Sequence, residues 1–180
     1  LNLLDEDPQD VRHCVTEVSA IANNEGLPEG ARDKKVYLTK FPGKTGDPRD
    51  NNLCIVRLSE IYLNAAEAGL KIGGEQATKG MEYLNDVITN RTTNTAMKVN
   101  AAADFTLERI LKERRKELVG EGLAVYDYTR NKLPVERKGR WHLTSLDTSG
   151  AYTIQPNDSR LAIPIPQTEI DANPNLVQNP

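Results

Sequence analysis

"LCIVRLSEIYLNAAEAGLKIGGEQATKGMEYLNDVITNR", residues 53–91, is the stretch on which the fold turns. Its first half predicts a helix over 53–74, capped by Asn51 or Asn52 and ended by Gly73 and Gly74. The polar residues Arg57, Glu60, Asn64, Glu67 and Lys71 recur at steps of three and four, so they share one stripe. Most other positions are Leu, Ile, Val, Tyr or Ala. A helix apolar over most of its circumference packs on more than one side, and Ala65, Ala66 and Ala68 let a partner helix approach closely. The second half predicts a helix over 75–91, with Ala77, Met81, Leu84, Val87 and Ile88 on one face. Two helices joined by a tight glycine turn, a unit of 34 residues over 58–91, match the period and form of a tetratricopeptide-like hairpin.

A third helix is expected over 106–121, capped by Thr106 or Asp104. It carries "ILKERRKELVGEG" (110–122), in which seven of thirteen residues are charged. Leu107, Leu111 and Leu118, with Ile110 beside them, define an apolar stripe, and Arg114 falls in its gap. Arg114 is therefore expected to face the core, while Lys112, Arg115, Lys116 and most of the other charges are expected on a solvated face. A buried guanidinium needs a partner, because an unpaired buried charge costs several kcal/mol, roughly. The candidates are Glu117 and Glu121 on the same helix and Glu60 or Glu67 on the first. Arg57, Glu60, Glu67, Arg114, Glu117 and Glu121 then form a charged seam between helices, with a structural role.

Outside the helices the pattern weakens. Residues 1–33 are polar, with a weak helical rhythm that ends at Gly26. "KVYLTKF" (35–41) reads as a short strand and "PGKTGDPRDNN" (42–52) as a loop. The "GKT" there is no phosphate loop, since the required glycine position holds Leu38. A short helical piece follows Gly122. From Lys132 onward the chain holds six of its ten prolines and little helical period. "GAYTI" and "RLAIPIP" are expected as short strands, "PQTEID" as a single helical turn, and the tail as extended. The fold class is mainly α: helical hairpins, one domain over 1–180 with its core at about 53–131, and an irregular C-terminal wrap over about 132–180.

Net charge is −3, and the charged run mixes signs without interleaved aromatics, so no nucleic-acid partner is expected. No run of 18 apolar residues offers a membrane span. His13 and His142 are isolated and the two cysteines form no metal motif, so no metal site and no cofactor is expected. Cys54 reads as a buried thiol in an apolar run, and a Cys14–Cys54 disulfide stays open. No catalytic residues are expected: there is no nucleophile–base pair, and Glu113, Glu117 and Glu121 share one helix, which does not suit a two-carboxylate hydrolase. The first residue is Leu1, and the opening reads as a segment of a longer precursor.

"RLSEIYLNAAEAGLKIGG", "YLNDVITNR", "ILKERRKELVGEGLAVYDYTR" and "AIPIPQTEIDANPNLVQNP", in this order, resemble the C-terminal region of the SusD/RagB family of outer-membrane nutrient-binding lipoproteins. The pattern residues are Arg57, Glu60, Leu63, Ala66, Glu67 and Ala68, then Glu113, Arg114, Glu117, Leu118, Glu121 and Gly122, then Ile163-Pro164, Glu169-Ile170, Asn173-Pro174-Asn175-Leu176 and Gln178-Asn179-Pro180. The chain departs from the family's Glu-Gly-x-Arg at Leu123-Ala124. The resemblance implies a tetratricopeptide-like scaffold without catalytic activity. It implies a cell-surface protein, lipid-anchored upstream on the extracellular face of the outer membrane. It also implies an oligosaccharide or other nutrient ligand and a TonB-dependent, SusC-like transporter as partner. The alternative is a helical-repeat protein–protein interaction module without sugar binding. Trp141 and Tyr152 are the ring candidates for ligand contact within this segment.

Overall fold

The structure is a computed structural model that describes residues 3–20, 34–47, 50–52, 54–138 and 151–179. At 18–20, 34–37, 137–138 and 151–152 it describes the backbone. The chain divides into two compact units, Leu1–Gly122 and Leu123–Pro180.

The first unit is built on helices α1 (Leu58–Ile72), α2 (Glu75–Thr89) and α3 (Leu107–Glu117). The tight turn between α1 and α2 uses two left-handed residues, Gly73 at φ 81° and Gly74 at φ 58°, which glycine adopts without steric cost. The hairpin crosses at glycines as well. A methyl group on Gly80 would lie 2.9 Å from the Ala66 carbonyl oxygen and 3.1 Å from the Phe105 ring. One on Gly69 would lie 2.3 Å from the carbonyl oxygen of Gln76. Ala66 is buried in the crossing, as its size predicts, while Ala68 faces outward.

Leu63, Ala66, Leu84, Val87, Ile88, Val99, Phe105 and Ile110 form the core, each large apolar side chain contributing on the order of 1.5–3 kcal/mol. Val99 reaches it from the loop after α2. The Asn85 side-chain amide fixes that loop by pairing with both the N–H and the carbonyl of Val99, each at 2.8 Å. Thr106 caps α3, its hydroxyl accepting from the Arg109 N–H at 3.2 Å.

Helix α1 begins at Leu58, five residues later than the sequence pattern suggests, and neither Asn51 nor Asn52 caps it. Arg57 is its N-cap, with the extended backbone usual at that position, φ −118° and ψ 150°. Cys54, Ile55 and Val56 run exposed before it, so Cys54 is not a buried thiol, and both cysteines are exposed and unbridged. The weak helical rhythm near the start resolves into a 3-10 turn, Val11–Val15, and a strand β1, Thr16–Ala20. β1 pairs antiparallel with β2, Lys34–Leu38, in the register Thr16 opposite Leu38.

The second unit holds α4 (Ala124–Arg130), β3 (Val135–Lys138), β4 (Ala151–Ile154) and α5 (Gln167–Ala172). β3 and β4 pair antiparallel, so the strand expected at "GAYTI" is present over Ala151–Ile154. "RLAIPIP" forms no strand; it begins as the end of a 3-10 turn, Ser159–Leu161, and continues unpaired. Pro164 and Pro166 lack N–H groups, so the segment cannot complete a ladder. Side chains of the tail take the place of a strand. Gln178 accepts from the Ile165 N–H at 2.8 Å and donates to its carbonyl at 3.0 Å, and Asn179 donates to the Ile163 carbonyl at 2.7 Å.

Candidate functional site

Helix α3 presents Ile110, Glu113, Arg114, Glu117 and Leu118 at the spacing of one helical stripe, and all five are buried. Three of them are charged. Lys116 is buried too, and only Arg115 within Leu107–Glu117's second half is exposed. The expectation that most of this run is a solvated face is therefore corrected. The charges are buried because partners arrive from four other segments of the first unit.

Glu117 is 4% exposed and lies between three guanidinium groups. Arg91 grips it with both edges, Nε to Oε2 and Nη2 to Oε1, each at 2.9 Å. Arg57 donates to Oε1 at 3.0 Å and Arg12 to Oε2 at 3.3 Å. Glu113, fully buried, meets Arg12 at 2.6 Å and Arg109 and Lys116 at 3.0 Å each. Asp10 holds Arg12 in place through the Arg12 backbone N–H at 2.9 Å and its guanidinium at 2.6 Å. Glu121 pairs with Lys40 and with Arg57, the latter at 2.7 Å.

The cations also answer the end of a helix. The C-terminal carbonyls of α3 have no partners within the helix, and its dipole leaves negative partial charge there. Lys40 Nζ donates to the carbonyls of Glu117 and Val119 at 2.9 and 3.2 Å, and Arg57 donates to that of Glu117 at 2.8 Å. Burial opposes ionisation of Glu117, but hydrogen bonds and charge from Arg91, with Arg57 beside it, outweigh burial and hold its carboxyl at about 2. Glu113, Glu121 and Asp10 are lowered against the same opposing effect of burial, by Arg12 and Lys116, by Arg57 and Lys40, and by Arg12 respectively.

Arg114 is buried, as its place in the stripe predicts, and donates to Asn64 Oδ1 on α1 at 2.6 Å. Asn64 lies between Glu60 and Glu67 on the polar stripe of α1. Glu60 is half-buried in the first turn, and Glu67, buried, holds Lys71 at 2.7 Å. The structure thus joins Arg57, Glu117 and Glu121 directly and brings Arg114 to the same face of α1. Asp10, Arg12, Lys40, Arg91, Arg109, Glu113 and Lys116 complete the cluster, and sequence reasoning places none of them in the seam. One signal was present: Glu113, Glu117 and Glu121 continue the steps of Ile110, Arg114 and Leu118.

Chemically the cluster is a framework. Each carboxylate is held by cations, and every one of those pairs joins segments of the protein or turns of a helix. Two clefts flank it. One, of about 410 Å³, is lined by the N-cap Arg57, by Ser59 and Tyr62 of α1, by Asp86 of α2, and by Asn90 and Arg91 just after it. The Tyr62 ring is set there by an edge-to-face contact with Tyr83, centroids 5.5 Å apart. The other, of about 220 Å³, lies beside Arg12, Cys14 and Lys40. Of the two ring candidates for ligand contact, Trp141 lies outside the described residues, and Tyr152 stands opposite Arg137 in the β3–β4 ladder. Among the described residues no group of three His, Cys, Asp or Glu is assembled to hold a metal, and no helix is long and apolar enough to cross a membrane.

The SusD family model matches residues 21–180. A crystal structure of a SusD superfamily protein from Bacteroides thetaiotaomicron VPI-5482 is 63% identical, with a TM-score of 0.86, over 99% of this chain and 39% of that one. A SusD superfamily protein from Bacteroides vulgatus ATCC 8482 is 35% identical, with a TM-score of 0.79, over 98% of this chain and 37% of its own. A third, from the same strain and assigned as sugar-binding, is 31% identical, with a TM-score of 0.70, over 99% of this chain and 37% of its own. The chain thus spans about two fifths of the length of these solved relatives. A search of the curated proteins found no significant match.

Proposed function

The chain belongs to the SusD family, and from that premise we propose that it is part of a non-enzymatic protein that binds carbohydrate at the cell surface. The observation that carries this reading is the family match over 21–180, together with the sugar-binding assignment of a relative 31% identical to it. The site chemistry agrees with a role without catalysis. Asp10, Glu113 and Glu117 are each held ionised by cations within the fold, which leaves none of these three poised as a general acid near neutral pH.

The finer reading is capture of an oligosaccharide for import. The full-length protein sits on the extracellular face of the outer membrane, lipid-anchored, and hands its ligand to a TonB-dependent, SusC-like transporter. Trp141 and Tyr152 contribute rings to the glycan-facing edge. A sugar ring offers an apolar C–H face that packs on an aromatic side chain, while polar groups fix its hydroxyls.

The test is calorimetry of the full-length protein against a panel of oligosaccharides. Saturable binding to at least one of them, weakened at least tenfold by Trp141→Ala or Tyr152→Ala, is expected. Co-purification with a transporter but no binding to any glycan would favour the protein-interaction module instead. Protease shaving of intact cells checks the location, with loss of the protein from the cell surface as the expected result.

A further inference from the structure

The larger cleft beside the charged cluster, of about 410 Å³, opens between the start of α1 and the end of α2. Its volume falls within the range of small-molecule sites, about 300–1,000 Å³. Part of its lining is apolar: Leu58, Val87 and the Tyr62 ring, which Tyr83 holds edge-to-face. The rest is polar. Asp86 and Asn90 are exposed, and the side chains of Arg57 and Arg91 are 26% and 28% exposed. A guanidinium carries five N–H groups. Among the described residues, Arg91 uses Nε and Nη2 on Glu117 and Nη1 on the Asn90 carbonyl, so N–H groups remain on Nη1 and Nη2. Arg57 keeps one on Nη1. Arg91 shares its carboxylate, Glu117, with Arg12 and Arg57, so its charge is only partly neutralised.

We propose that this cleft binds a uronic acid residue of an oligosaccharide. The sugar carboxylate accepts from Arg91, with Arg57 beside it, a charge-assisted pairing that suits the planar guanidinium. The C–H face of the sugar ring lies on Tyr62, and Asp86 and Asn90 take its hydroxyls. The lining selects this class over its neighbours. A phosphate dianion has no use for the tyrosine ring, and its second negative charge meets Asp86. A neutral sugar uses the ring and the amide but leaves the guanidinium charge unanswered. A uronic acid residue presents one negative charge, an apolar face and hydroxyls together, and each has a counterpart in the lining. This inference rests on the carbohydrate reading and narrows it to an acidic sugar, on residues other than Trp141 and Tyr152.

The test is calorimetry of the full-length protein against trisaccharides of galacturonic and of glucuronic acid, the methyl ester of each, and a panel of neutral trisaccharides. Saturable binding of at least one uronate is expected, with its methyl ester at least tenfold weaker because the ester keeps the ring and removes the charge. Asn90→Trp fills the cleft from an exposed position, leaves the arginine–glutamate pairs in place, and should weaken the uronate at least tenfold. Equal binding of acid and ester, or uronate binding unchanged in Asn90→Trp, overturns the proposal. Binding of neutral sugars alone overturns it while the carbohydrate reading stands, and binding of no sugar overturns both. Binding of a hexaglutamate peptide in place of the uronates assigns the cleft to an acidic peptide and also overturns it. A second measurement does not depend on how Asn90→Trp folds. In the full-length protein with Cys14 and Cys54 replaced by Ser, the bound uronate should slow maleimide labelling of Asn90→Cys at least tenfold. Labelling already that slow without ligand, relative to the unfolded chain, means that further chain fills the cleft, and a rate that the uronate leaves unchanged means that it binds elsewhere; either result overturns the proposal.

Discussion

Glu117 shows how a carboxylate becomes a structural element. Removing its charge leaves Arg12, Arg57 and Arg91 gathered without their common acceptor. Breaking a buried pair in this way costs about 3–5 kcal/mol. Glu117→Gln is expected to lower stability by about that amount in a denaturant titration of the full-length protein, whereas Arg115→Gln, at an exposed neighbour, should change it by less than about 0.5 kcal/mol. The pH dependence follows from the same residue. Its folded pKa, about 2, lies below the ordinary 4.5, so its contribution is fully present above pH 4.5. That contribution, on the order of 3 kcal/mol, is lost as pH falls from about 4.5 through about 2. Thermal melts should therefore be flat in this contribution from pH 7 to 5 and fall below it, with a shallower fall in Glu117→Gln. Arg114 was legible from sequence because it interrupts an apolar series. Glu117 was placed in the seam, but only as a partner for Arg114, and the burial of Glu113 and Lys116 was not legible, because periodicity scores a charge as solvent-facing whatever meets it. Their partners at Asp10, Arg12, Lys40, Arg57 and Arg91 are far away in the chain, and no local pattern ties them together.

The helical hairpin was the most legible element, since both its helices repeat strongly and two glycines mark the turn. The start of α1 was misplaced because apolar content continues through Cys54, Ile55 and Val56, whereas Arg57 is the extended N-cap and the helix begins after it. The close crossing was assigned to alanines, yet its tightest points are Gly69 and Gly80, where the absence of a side chain is what matters. Gly80→Ala should lower stability by about 1–3 kcal/mol through overpacking against the Ala66 carbonyl and the Phe105 ring. An exposed change on the same helix, Glu82→Ala, serves as the control for helix propensity. A melting temperature for Gly80→Ala at or above the parent would mean that α1 and α2 separate without cost. In the second unit the β3–β4 strand at "GAYTI" and the turn of α5 were readable. The use of Gln178 and Asn179 as substitutes for a strand was not, because amide side chains carry no periodic signal.

At the scale of the molecule, ligand and fold are linked by mass action. A glycan bound only by the native state should raise the stability of the full-length protein by about 2.7 kcal/mol at one hundred times its dissociation constant. A thermal-shift titration reads this directly, and no shift with a glycan that calorimetry shows to bind would mean that the unfolded chain binds it as well. The cluster on α3 also bears on the order in which the chain assembles. The α1–α2 hairpin closes across a two-residue turn, whereas Arg12 and Glu117 are 105 residues apart in sequence, Arg57 and Glu117 60, and Lys40 and Glu117 77. Closing such long loops costs entropy before any contact repays it, so local structure precedes these pairs. Arg12→Met should then accelerate unfolding and leave the refolding rate nearly unchanged, as stopped-flow chevrons would show. A charged staple of this kind sets how long the native state survives, and has little influence on how quickly it is reached.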